Sequence, residues 1–237
     1  MAGEIDVAVH SAKDVPGALP EGLAIGAVPE AEDPRDALIG GASLAALPEG
    51  ASVGTSSLRR RSLLLAARPD LDVRPLRGNV DTRLAKLASG EHDAIVLALA
   101  GLRRLEREQE ATALLDPRSF VPAPGQGLLA IEVRAGDERA AAAVLPVDHA
   151  PSRRRLECER AVVKKLDTSC HTPVGASSEI VDGRLHVFAY VGMPDGTEWI
   201  TDAIEFDAAE PPAAGILLAK RMLAAGAGDL LRRAETA

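Results

Sequence analysis

Short runs of small and β-branched residues alternate along most of the chain with stretches of helical period. IDVAV at Ile5–Val9 reads as a buried strand running into the polar loop HSAKDVP, which Pro16 helps to close. LAIGAV at Leu23–Val28 reads as a second strand, and EAEDPRDALI then crosses a proline-containing joint. Beyond it SVGTSS ends a strand, SLRRRSLLLAAR is a helix, LDVRPL a strand, VDTRLAKLASG a helix closed by Gly90, and DAIVLAL a strand. Strand, helix, strand, helix, strand with continuously apolar strands predicts a parallel sheet covered on both faces. After FVPAPGQG come a strand, LLAIEVR, and a helix, DERAAAAVL. The last part changes character. APSRRRLECERAVVKKLD is a helix with Leu156, Val163 and Leu166 on one face, followed by strand candidates SSEIVDG, RLHVFAYVG and TEWITDAIEF and a covering helix, AAGILLAKRMLAAGAG. That order predicts a separate α+β unit.

Composition narrows the function more than the fold. The 237 residues are enough for two or three domains, and 46% hydrophobic with 26% charged residues is the balance of a soluble globular protein. Aromatics are only 2%, so binding by stacking is not expected. A net charge of −8 repels nucleic acid in general, although local arginine clusters can still attract a small anion. Two cysteines, Cys158 and Cys170, make no disulfide framework and suit a reducing compartment. No run is apolar enough to span a bilayer, and MAGEIDVAVH has no signal-peptide pattern, so the cytoplasm is expected. A first strand entered so soon after Met1 is expected either to sit at a sheet edge or to have lost its neighbours.

Two turns carry the sharpest chemistry. GTSSLRRR puts Thr55, Ser56 and Ser57 at a strand-to-helix turn, where unpaired backbone N–H groups face outward, with Arg59 and Arg60 in the first helical turn. Such a turn is an anion site by construction, although a simple Ser cap with solvated arginines has the same sequence. LRGNVDTR repeats the arrangement, with Arg77 before a glycine turn and Arg83 on the following helix. Both turns leave the C-terminal ends of neighbouring parallel strands, where open α/β sheets bind ligands. Four arginines in one crevice repel unless an anion offsets them, which points to a ligand with several carboxylates. Lys13 and Asp14 follow the first strand and alone would pass for a surface pair, and His10 reads as structural. Cys170 lies in a loop, LDTSCHTPVG, where a thiol can react, but adjacent His171 cannot point with it to form a protease pair. Cys158, Cys170 and His171 lack a fourth ligand for zinc, so no metal is expected, and Cys158 reads as a small apolar filler.

Taken in order, HSAKDVP, EDPRDA, VGTSSLRR, LRGNVDTR, DAIVLALAGLRRL, PAPGQG, ECERA and SCHTPVG resemble the porphobilinogen deaminase (hydroxymethylbilane synthase) family from Gly3 nearly to the C-terminus. The resemblance implies a transferase of haem and tetrapyrrole biosynthesis that condenses four porphobilinogen molecules head to tail, releasing ammonia each time. It implies a dipyrromethane cofactor, attached by a thioether at the position of Cys170. Asp14 matches the family's catalytic aspartate, a carboxylate placed to stabilise the azafulvene cation left by ammonia. Ser11, Lys13, Thr55, Ser57, Arg59, Arg60, Arg77 and Arg83 match positions that hold carboxylates of cofactor and substrate, with Asn79 and Gln126 placed in the same pocket. The implied fold is α/β with three domains. The first two, residues 1–30 with 127–147 and residues 31–126, would resemble a two-lobed periplasmic binding protein with mainly parallel sheets. Residues 148–237 would form a small α+β domain with an antiparallel sheet. The implied partners are porphobilinogen and the growing polypyrrole, with no nucleic acid and no membrane, and the expected state is a monomer. Thr168 and Ser169 stand where many relatives have glycines. A non-catalytic polycarboxylate-binding module and an inactive fragment of the enzyme remain alternative readings.

Overall fold

The computed structural model describes residues 4–168 and 172–236. The strands β1 (Val7–Ser11) and β2 (Leu23–Ala27) come first. Next are β3 (Asp36–Ile39), β4 (Ser52–Gly54), α1 (Leu58–Ala67), β5 (Asp72–Arg74) and α2 (Val80–Ala88). They are followed by β6 (Ala94–Ala98), α3 (Leu99–Arg104), β7 (Ala113–Leu114), β8 (Leu129–Arg134) and α4 (Glu138–Val144). The rest is α5 (Ala150–Leu166), β9 (Val174–Val181), β10 (Arg184–Gly192), β11 (Trp199–Asp207), α6 (Pro211–Ala224) and α7 (Ala227–Glu235).

These elements make a mixed α/β protein with three sheets. The middle sheet has the order β5-β4-β6-β3-β7. Its first three strands run parallel, as the alternation of strand and helix requires, and β3 pairs antiparallel with both β6 and β7. β6 is central because AIVLA buries both faces, and Leu38, Val53, Ala94 and Val96 join Leu63 and Leu64 of α1 in one cluster. On the opposite face Ala37, Ile39, Ile95 and Leu97 pack with Leu84 of α2.

The expectation of mainly parallel sheets fails for the first sheet. Its order is β1-β8-β2, and both pairings are antiparallel. The reason is connectivity: β8 returns from the middle sheet and inserts between β1 and β2, so no crossover helix joins neighbours of one direction. The third sheet, β11-β10-β9, is antiparallel as expected and carries α5 and α6. Along β10 the two faces are shared out by the strand's period of two. Leu185, Val187, Ala189 and Val191 face the helices, while Phe188 and Tyr190 pack into the middle cluster. The expected single final helix is two, because Gly226 at φ +101° turns the chain between α6 and α7. Among the described residues, no helix is long and apolar enough to cross a membrane.

Candidate functional site

The three sheets meet around a cleft of about 490 Å³. One wall is a 3-10 turn, Ala12–Asp14, at the end of β1, contributing Lys13 and Asp14. The facing wall is the start of α1, with Ser56, Ser57, Leu58 and Arg59. Arg160 and Val163 of α5 close the cleft, together with Thr168 and Thr172. Those two threonines flank the segment containing Cys170, which lies outside the described residues.

The cations around this cleft have very different partners. Arg59 and Arg60 are 4% and 5% exposed, although both sit in the first turn of a helix. They converge on Asp36, fully buried at the start of β3, with Arg59 Nη2 2.8 Å from Oδ2 and Arg60 Nη2 2.7 Å from Oδ1. Arg59 also donates to Val121 O at 2.7 Å and Arg60 to Val96 O at 3.0 Å. Gln126 Nε2 completes the node, donating to Asp36 Oδ1 at 2.9 Å and Pro34 O at 2.6 Å. Burial pushes the Asp36 carboxyl up, but Arg59 and Arg60 outweigh it and hold the group below the usual carboxylate range. One carboxylate between two guanidinium groups leaves a buried excess of positive charge. Arg59 Nε is buried and has no hydrogen-bond partner among the described residues.

Lys13 adds to that excess. Its side chain retains accessible surface, yet protein crowds the ammonium. Loss of water and then Arg60 push it down to about 8, against the opposing effect of Asp14. At the second turn Arg83 donates Nε–H to Gly78 O at 2.8 Å, and burial followed by Arg60 lowers its guanidinium. Arg77 is exposed, and neither it nor Arg83 has an ion pair among the described residues. Lys13, Asp14, Ser57 and Arg59 therefore share the cleft lining, while Ser11, Thr55, Arg60, Arg77, Asn79, Arg83 and Gln126 lie outside it. Asn79 Oδ1 caps α2, accepting from Thr82 N at 2.9 Å. His10 is held by Glu132, with Nε2 3.1 Å from Oε2.

Cys158 is fully buried, and burial pushes its thiol far up, so it is not a nucleophile. Among the described residues no cluster of His, Cys, Asp and Glu could hold a metal ion. Sequence reasoning missed Asp36, although an acid opening the apolar strand DALI is itself a signal of a buried ion pair. It also missed Arg160, whose Nη2 ties α5 to the Asp14 loop through Pro16 O and Gly17 O at 2.9 and 3.0 Å.

The matches to known proteins cover nearly the whole chain. The family profile described as "Porphobilinogen deaminase, dipyromethane cofactor binding domain" matches residues 1–142, and "Porphobilinogen deaminase, C-terminal domain" matches 154–224. The chain belongs to the porphobilinogen deaminase family. A porphobilinogen deaminase of Thermus thermophilus is 48% identical over 234 residues, covering 98% of this chain and 78% of the relative. One of Brevibacillus brevis is 47% identical, covering 96% and 74%, and one of Desulforudis audaxviator 49%, covering 97% and 75%. Among solved structures, a putative methionine-binding lipoprotein of Bacillus subtilis is 16% identical with a TM-score of 0.38 over 53% of this chain and 61% of that one. A likeness of that size carries no argument about the fold.

The cleft fits the family's dipyrromethane. Its carboxylates need fixed cations, and Lys13, Arg59, Arg60 and Arg83 outnumber the carboxylates Asp14 and Asp36 in and around the cleft. Arg59 itself lines that space.

Proposed function

We propose that the cleft is the active site of a hydroxymethylbilane synthase. The chain is a transferase that condenses four porphobilinogen molecules head to tail with release of ammonia, and its cofactor is dipyrromethane. The observation that carries the assignment to this cleft is the opposition of Asp14 on one wall to Ser57 and Arg59 on the other, with Thr168 and Thr172 flanking the Cys170 segment at the same cavity. Cys170 anchors the cofactor in this reading. The buried, strongly disfavoured thiolate of Cys158 removes the chain's other cysteine from contention.

When bound, the dipyrromethane supplies the pyrrole carbon that starts the chain. The residues do the rest by charge. Lys13 and the Arg59–Arg60 node bind carboxylates, and Arg77 and Arg83 receive those of incoming porphobilinogen and the lengthening product. Asp14 presents a fixed carboxylate where positive charge grows as ammonia leaves, and then at the pyrrole N–H as the carbon–carbon bond forms. Ser11, Thr55, Asn79 and Gln126 support the pocket. Ser11 begins the Asp14 turn, Thr55 Oγ1 accepts Ser57 N–H at 3.2 Å, Asn79 caps α2 and Gln126 holds Asp36. The same reading divides the chain into residues 1–30 with 127–147, 31–126, and 148–237, a division supported by one sheet in each. It places the enzyme in the cytoplasm as a monomer that binds no nucleic acid, which light scattering and fractionation test.

The deciding experiment is Asp14→Asn. It keeps shape and removes charge, so turnover should fall about 100- to 1,000-fold. Denaturing mass spectrometry should still find two pyrrole units, absent in Cys170→Ala. A carboxylate-binding module without catalysis would bind porphobilinogen yet release no ammonia in the unmutated protein, and that result would sink the proposal.

A further inference from the structure

Glu159 of α5 is 2% exposed and has no ion pair among the described residues. Three donors point at it: Gly125 N–H reaches Oε2 at 2.7 Å, while Ser178 N–H and Oγ–H reach Oε1 at 2.9 and 2.8 Å. Both oxygens accept, so three donors from two separate segments converge on this one carboxyl group. Burial nevertheless pushes this carboxyl up, against Arg155, Gly125 and Ser178, which favour the charged form. A mere strut between α5 and β9 would not need such a group.

What Glu159 holds is the turn Ala123–Leu128. Gly125 has φ +77°, and a Cβ there would lie 2.8 Å from the carbonyl carbon of Ala12 and 2.9 Å from Lys13 N. Its peptide is thus wedged between the Glu159 carboxylate and the backbone that leads into Asp14. Leu128 O accepts Ala12 N–H at 3.0 Å, and Gln126 reaches the other way to Asp36. One turn sets both the Asp14 loop and the buried arginine node.

We infer that Glu159 is a positioning residue for the reaction: its carboxyl group, held by three donors, fixes the Ala123–Leu128 turn, and the turn holds Asp14 facing the cleft. The inference rests on Asp14 being the catalytic carboxylate. In Glu159→Gln one oxygen becomes a donor facing a donor, so either Gly125 or Ser178 is released. The cofactor-loaded enzyme should then lose about 10- to 100-fold in kcat, the scale of a misplaced catalytic group, with KM nearly unchanged. Hydrogen exchange should rise in residues 123–128. Ser62→Ala provides the matched structural control, since it breaks a buried link from α1 to Tyr190 and Met193, both 2.6 Å away, and should leave kcat unmoved. The Asp14→Asn, Glu159→Gln double variant should turn over no more slowly than Asp14→Asn alone. A folded, loaded Glu159→Gln enzyme with wild-type kcat, or losses that multiply fully in the double variant, overturns the inference. If Glu159→Gln does not fold, Gly125→Ala disturbs the same turn where it meets Ala12 and Lys13, and wild-type kcat there overturns the inference equally. Near-normal turnover of Asp14→Asn alone instead removes the role of Asp14, whatever Glu159→Gln does.

Discussion

The turns after β4 and β5 are alike in plan and opposites in how the fold treats their arginines. Each follows a parallel strand, caps a helix with a side-chain oxygen and brings two arginines. At the first, Arg59 and Arg60 are sunk around Asp36 with further bonds to Val96, Val121 and Gln126, and of the two only Arg59 reaches the cleft lining. At the second, Arg77 is exposed and Arg83 bonds only a backbone oxygen. The difference is set by a residue in neither turn. Asp36 pulls one pair inward, and nothing among the described residues does so for the other. The first pair therefore contributes a fixed positive potential from beneath the cleft. The second keeps the guanidinium of Arg77 and the Nη hydrogens of Arg83 for a ligand that grows by two carboxylates at each step.

The comparison breaks most violently at Asp36. Asp36→Asn leaves two buried guanidinium groups without a counter-charge, and should cost about 3–5 kcal/mol in urea unfolding. The pH dependence has a definite sign. Because the folded Asp36 carboxyl is held below its ordinary value, its contribution is complete above about pH 4 and is lost as pH falls through the depressed folded value. Asp36→Asn should remove that part of the acid transition. A loss under about 1 kcal/mol would mean that the arginines do not depend on Asp36.

Next in size is the opposite phenotype at the second turn. Arg83→Leu and Arg77→Leu should change stability by no more than about 0.5 kcal/mol, as surface substitutions do. Each should slow elongation about 10- to 100-fold, the worth of one charge-assisted hydrogen bond, with stalled intermediates visible as discrete masses. Normal elongation would return that arginine to the solvated surface.

The contrast also marks what the sequence could reveal. Periodicity was enough for α2 and β10, whose apolar positions recur at the period of their own element, whereas α1 buries Arg59, Arg60 and Ser62, and α5 buries Val162 where Val163 was expected. It could not reveal that β8 would insert antiparallel between β1 and β2, since pairing is decided across more than a hundred residues and leaves no local pattern. In the site, Lys13, Asp14 and Arg59 were legible as motif residues. Their different burial was not, because it depends on Asp36 and Gln126, remote in sequence from the turn they organise.

A smaller effect separates Lys13 from the arginines altogether. Its ammonium is pushed down to about 8, so it loses its proton as pH rises through that value, while the arginines stay charged. The KM for porphobilinogen should rise above pH 8, by at most about tenfold per unit. Lys13→Met should have a higher KM that no longer changes over this range. A flat wild-type profile up to pH 9.5 would leave carboxylate binding to the arginines alone.

The finest distinction lies in the two helix caps. Asn79 Oδ1 accepts from Thr82 N at 2.9 Å and from Thr82 Oγ1 at 2.8 Å, a well-formed cap on an exposed turn. Ser57 Oγ accepts from Arg60 N at 3.4 Å, too long to contribute much, and Ser57 alone of the two lines the cleft. A hydroxyl held so loosely to its own helix is free to turn toward a carboxylate at the helix N-terminus, where backbone N–H groups already favour an anion. Asn79→Ala should therefore cost about 1 kcal/mol of stability with little change in KM. Ser57→Ala should do the reverse, moving stability by only a few tenths of a kcal/mol while raising KM. Should Asn79→Ala leave the unfolding midpoint in place and raise KM instead, the amide would belong to the ligand and the second turn would be a binding loop through its cap as well as its arginines.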